Sequence, residues 1–204
     1  MRLPVLGGLY VAVVLSAQVG ANKIVELPLT NLQAPGGVYA IGVALALVQL
    51  AHHTGASRRE GAVNAQLLIA LGFIGSALFA GYIALVVHSE AAFPGQTFDD
   101  AIASTWRIVA ASLAAFIVSE TIDNLVGAPL RGHVHDGVRV AVSAAVSAPI
   151  DSLVFLVLAF GTSGLHFFAG QLVGKIASSI LIGIPLVLLG RRFLPANRGD
   201  IVPA

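Results

Sequence analysis

Four ionisable side chains stand inside stretches that are otherwise almost wholly apolar: Glu120, Asp123, Asp151 and Lys175. A charged group at the centre of a bilayer costs about 2.5–3.5 kcal/mol on insertion scales, so such groups face a cavity or a partner and are functional candidates by default. Glu120 and Asp123 are three residues apart, which places them on one face of a helix. Asp151 follows Pro149 in the run Ser147 to Ser152, where a local helix break is expected to free backbone groups to line a site. Lys175 lies between Gln171 and Ser178, amid small residues. Counting a rise of about 1.5 Å per residue from the flanking arginines, Glu120 is roughly 16 Å from Arg131, Asp151 roughly 18 Å from Arg139 and Lys175 roughly 24 Å from Arg191; Asp123 is shallower, at roughly 12 Å. Two or three carboxylates and one ammonium at neighbouring levels, contributed by three helices, suit a pocket for a polar solute or a proton relay. The plainer reading is that Asp151 and Lys175 neutralise each other and hold the bundle together, which leaves Glu120 and Asp123 without basic partners at their depth. Arg107 has a plain reading too, as a side chain snorkelling to headgroups, and Trp106 beside it is either an interfacial belt aromatic or a stacking platform at a pocket mouth.

Other chemistry is not encoded. The chain has no cysteine, which excludes thiol catalysis and Cys-based metal centres. None of the six histidines pairs with another at metal-ligand spacing on a helix, and His133-Val-His135-Asp136 falls in a loop beside arginines, so no metal is expected. A nucleophile elbow, a P-loop and a dinucleotide fingerprint are all missing, so no catalytic residue and no cofactor is assigned, and any ATP-driven step requires a partner protein.

The elements that must position these groups follow from composition. Of 204 residues, 57% are hydrophobic and 10% charged, and the mean hydropathy is +0.90. That composition describes an all-α polytopic membrane protein rather than a soluble domain, and residues 1–204 form a single transmembrane domain. Six spans are expected, at 3–22, 36–53, 63–88, 106–127, 138–160 and 165–190. The first also resembles a secretory signal, but the apolar stretches that follow favour a retained span. Eight of the eleven basic residues (Arg2, Arg58, Arg59, Arg131, Arg139, Arg191, Arg192 and Arg198) fall on one side, so both termini are expected in the cytoplasm. The segment from Glu26 to Gly37 reads as an extended loop dipping back toward the helices. Phe98-Asp99-Asp100-Ala101-Ile102 reads as a short amphipathic piece at the outer interface, either a lid or a solvated connector. A net charge of +1 gives no basic field for nucleic acid; the expected surroundings are lipid. Gly170-x-x-x-Gly174 is a weak helix-packing motif.

In order along the chain, Arg107, Ser112, Phe116, Ser119-Glu120 and Asp123, then Ser147 through Asp151-Ser152 and Phe155 with Ala159-Phe160-Gly161, then Lys175 and Pro185, resemble the queuosine precursor transporters, also termed vitamin-uptake-transporter-like, a family of six-span proteins. Asn22 matches an Asn found in the family at the end of the first span. Glu120 stands where Gln is usual, and the family's acidic pair in the second span is replaced here by Gln49 and His52. The resemblance implies inward transport of a purine-like solute, 7-cyano- or 7-aminomethyl-7-deazaguanine, across the cell's inner (plasma) membrane for tRNA modification. Independently, a guanine-like edge offers a ring N–H beside an exocyclic amine. A buried carboxylate accepts this pair, while Lys175 or Ser178 donates to the carbonyl. Candidate substrate-binding residues are thus Asn22, Gln49, Trp106, Arg107, Glu120, Asp123, Asp151, Lys175 and Ser178. Alternatives are a substrate-capture subunit of an energy-coupling-factor-type vitamin importer, docked on a partner through the first three spans, a lipid-modifying enzyme using a divalent metal, and a purely structural membrane protein. A homo-oligomer and an energising partner are both left open.

Overall fold

A computed structural model describes residues 3–89, 105–130 and 136–192. The chain folds into helix α1 (Leu3–Gly20), a two-stranded hairpin of β1 (Ile24–Glu26) and β2 (Gln33–Pro35), then α2 (Val38–His52), α3 (Arg58–Val87), α4 (Thr105–Leu130) and α5 (Asp136–Phe160). A 3-10 turn (Thr162–Phe167) leads into α6 (Phe168–Ser178), a π turn (Ser179–Gly183) and α7 (Ile184–Arg191), so the last long run is one broken helix. The expected lid around Phe98, the loop histidines His133 and His135, and Arg131 lie outside the described residues.

Three runs are long and apolar enough to cross a bilayer: Leu3–Gly20, Arg59–Val87 and Thr162–Gly190. The remaining expected spans correspond to shorter apolar helices, Val38–His52, Thr105–Ser119 and Ala145–Phe160. Large apolar side chains such as Leu78, Leu85, Leu181 and Leu188 point outward. Lipid, as apolar as leucine itself, covers such residues without cost, whereas unpaired backbone groups cannot be left there, and this favours helices.

Helix α2 is the centre of the bundle, packed on α1, α3, α6, the π turn and α7, while α4 and α5 form the most extensive helix pair. Leu6, Leu47, Leu50, Ala51, Ala65 and Leu68 join α1, α2 and α3, and a second cluster around Ile108, Ala111, Ala115, Phe155 and Leu156 joins α4 to α5. Close approach requires small residues where backbones meet: a Cβ on Gly42 would lie 2.0 Å from the Ser178 carbonyl oxygen. The Gly170 and Gly174 pair serves the same purpose, the first against Gln33 of the hairpin and the second against Val38.

Several expectations are corrected. Helix α3 begins at Arg58 rather than 63, because Ser57 caps it by accepting from the Glu60 amide at 3.2 Å, and the Glu60 carboxylate reaches back to the Ala56 amide at 2.7 Å. The segment after Glu26 is not an extended loop but an antiparallel hairpin pairing Ile24 with Pro35 and Glu26 with Gln33. Buried Ala34 and Pro35 lie on its second strand, which rests on α6. Helix α5 runs unbroken through Pro149. The break lies instead in the last helix, where the Ile184 amide bonds back to the Ser179 carbonyl, five residues earlier. Pro185 follows at the head of α7. Its ring would strike the carbonyl four residues before it in a regular helix, and the wider π turn relieves that clash.

Candidate functional site

A cavity of about 650 Å³ opens in the middle of the bundle, a size typical of small-molecule sites. Residues of α1, α2, α3, α4, α5, α6 and the π turn form its wall, and Pro35 and Gly37 bring the end of the hairpin segment to it. Much of the wall is apolar, with the rings of Phe73, Phe116 and Phe155 among its members. Those rings supply flat surfaces on which a planar solute can stack.

On the α5–α6 side, the Lys175 ammonium donates to Asp151 Oδ2 and, at 2.9 Å, to the Ser152 hydroxyl. The two charged side chains are 15% and 26% exposed, so the pair is neither sealed in protein nor open to bulk solvent. Asp151 and Lys175 both line the cavity, while Ser152 is fully buried behind them. An ammonium has three donors, and among the described residues two of them are used here.

The other polar features were not singled out from the sequence. Gln18 of α1 donates from Nε2 to the Ser76 hydroxyl of α3 at 2.7 Å, joining two helices across the cavity wall. Gln171 of α6 lines the cavity one turn before Lys175. Both glutamines are buried, and the Oε1 atom of each takes no hydrogen bond among the described residues. A signal was present: Gln18 is a lone amide in an apolar stretch, and buried polar groups in a membrane carry the same presumption of use as charges do.

The structure brings together only part of the expected set. Asp151 and Lys175 meet at the cavity. For Glu120 and Asp123, the backbone is placed on α4 but the side chains lie outside the described ones. The remaining five do not stand on the cavity wall. Asn22 donates from Nδ2 to the buried Thr105 hydroxyl at 2.9 Å, tying the end of α1 to the start of α4. The Arg107 guanidinium donates from Nε to the Leu158 carbonyl at 3.0 Å, which satisfies a carbonyl in the last turn of α5. Trp106 and Gln49 are exposed on the outer surface of the bundle. The Ser178 hydroxyl is consumed between helices, accepting from the Gly42 amide at 2.9 Å and donating to the Tyr39 carbonyl at 3.1 Å. Among the described residues, no group of three or more His, Asp or Glu side chains is arranged to hold a metal ion.

Apolar helices around a largely apolar cavity that carries one ion pair describe a membrane protein with interior room for a small molecule, an arrangement that suits an uptake transporter. Comparison with known families agrees: residues 42–190 match the family described as "Putative vitamin uptake transporter", and the chain belongs to that family. No curated protein and no solved structure matches it.

Proposed function

We propose that this protein imports a 7-deazaguanine precursor of queuosine, the 7-cyano or the 7-aminomethyl base, through its central cavity. In this reading all six apolar helical stretches span the inner (plasma) membrane, with both termini in the cytoplasm. The observation that carries it is the Asp151–Lys175 pair on the wall of a cavity bordered by aromatic rings. A flat base stacks on such rings, while its carbonyl takes the remaining donor of Lys175 and its ring N–H and amine meet carboxylate oxygens. The family match supports uptake of a small organic solute, and the ordered likeness of α4, α5 and the last helix to queuosine precursor transporters supports this base in particular.

The test is uptake of labelled 7-cyano-7-deazaguanine into proteoliposomes containing the purified chain alone. Saturable uptake that unlabelled 7-aminomethyl-7-deazaguanine competes away is expected. Absence of both uptake and binding refutes the reading; binding without uptake favours a substrate-capture subunit that needs an energising partner.

A further inference from the structure

We infer that Gln171 and Gln18 are substrate-contacting residues that set specificity for the edge of the base that carries the exocyclic amine and the lactam, an inference that rests on the transport reading above. Three observations converge. Both side chains line the cavity. Both are almost completely buried, at 4% and 5% exposure. Each nevertheless keeps an amide oxygen without a partner among the described residues.

A buried polar atom left unpaired is costly, and native proteins leave few of them. For Gln18 the conclusion holds whichever way its amide is turned. One end bonds Ser76, and the other has no partner among the described residues, as acceptor in the orientation given or as donor in the flipped one. The terminal torsion of glutamine is soft, and turning the free end toward a solute exchanges the Ser76 bond for bonds to the base. Two amides pack around α2 from α1 and α6, and a primary amide is the natural complement of a lactam, whose N–H and C=O lie side by side. Gln171 is four residues, one helical turn, from Lys175, so an acceptor and a cationic donor stand side by side along α6. A guanine-type edge needs that order: amine and ring N–H toward acceptors, carbonyl toward a donor.

Selectivity follows from the same atoms. A site built to bond an N–H discriminates strongly against an analogue lacking it, because the site's own group is then left bare. The cavity therefore favours 7-cyano-7-deazaguanine over the same base without the exocyclic amine.

The experiment uses the purified full chain and ligand-induced thermal shift with those two bases. Gln171→Leu breaks no hydrogen bond to any described residue and is the primary variant. It should keep the ligand-free melting temperature, weaken 7-cyano-7-deazaguanine at least ten-fold, and lose most of the preference over the analogue. Gln18→Met should weaken binding and preference in the same way while lowering ligand-free stability, since it also removes the Ser76 bond; Ser76→Ala, which removes that helix-to-helix bond but keeps the amide, should lower ligand-free stability with less than a three-fold change in affinity. If the native chain binds the base and both glutamine variants bind it equally well with unchanged preference, this inference is overturned and the transport reading stands. If the native chain binds neither base, both fall. Should Gln171→Leu fail to fold, Gln171→Asn, which shortens the amide by one methylene, must still show weakened binding with the fold intact, and unchanged binding by that variant overturns the assignment.

Discussion

The Asp151–Lys175 pair gives the sharpest prediction, because stability and transport respond differently to its removal. Replacing Lys175 by Met strands a carboxylate beside an apolar cavity. Removing one partner of a fully buried pair costs about 3–5 kcal/mol, and at 15% and 26% exposure the cost here should be about 2–3 kcal/mol. For a chain of this size that lowers the melting temperature in detergent by roughly 4–12 °C. Asp151→Asn leaves the ammonium with a neutral amide and the Ser152 hydroxyl, and should cost somewhat less. The double variant carries no unpaired charge, so most of the stability should return, giving a coupling energy of about 2 kcal/mol between the two sites. Uptake should behave otherwise. If the two side chains bind the base, each single change abolishes transport and the double change does not restore it, although the protein is stable. A double variant that transports at the native rate would mean that the pair merely holds α5 to α6, and would remove the chemical basis of the proposed site.

Three further outcomes follow from the packing. Gly42→Ala would place a methyl group on the Ser178 carbonyl, and should destabilise the fold by about 1–3 kcal/mol or more as overpacking, visible as a lowered melting temperature and a broadened gel-filtration peak. Ser178→Ala removes the hydroxyl that joins the Gly42 amide and the Tyr39 carbonyl of α2 to the last helix and should cost about 0.5–1.5 kcal/mol of stability with base affinity unchanged; a loss of affinity at full stability would return Ser178 to the binding site. Ser57→Ala removes the cap of α3 and should cost about 1 kcal/mol in thermal unfolding without altering uptake.

How much of this was legible beforehand depends on which physical signal each residue carries. The apolar runs located the helices well, since bilayer length and hydropathy act on composition. The start of α3 was missed because Arg58, Arg59 and Glu60 lower hydropathy, although Ser57 and Glu60 have capping spacing that reads independently of it. Asp151 and Lys175 were found as members of one constellation because a charge in an apolar stretch is conspicuous. Gln18 and Gln171 were not selected because a single amide hardly moves a hydropathy average. Ser178, Asn22 and Arg107 are equally conspicuous in the sequence but are bonded away from the cavity in this fold. Polar side chains at helix ends and crossings are used by backbone groups of neighbouring helices, and the three-dimensional neighbours that consume them, Gly42, Thr105 and Leu158, are distant in sequence. Pro149 suggested a break that α5 does not show, whereas the wide turn before Pro185 has no composition signal beyond the proline itself.

That wide turn changes how the end of the chain is to be counted. One surplus residue in a helix advances everything beyond it by about 100° around the axis, since an α-helix holds 3.6 residues per turn. Gly190, which meets Leu50 of α2, is therefore in phase with α2 only because the wide turn absorbs the surplus residue, and a heptad drawn through Lys175 and onward would aim it elsewhere. Deleting any one residue between Ser179 and Gly183 would let the run close as a regular helix with α7 still facing α2, and would set the proline ring at the head of α7 against the carbonyl four residues before it. The last eight helical residues are keyed to the bundle by phase rather than by greasiness.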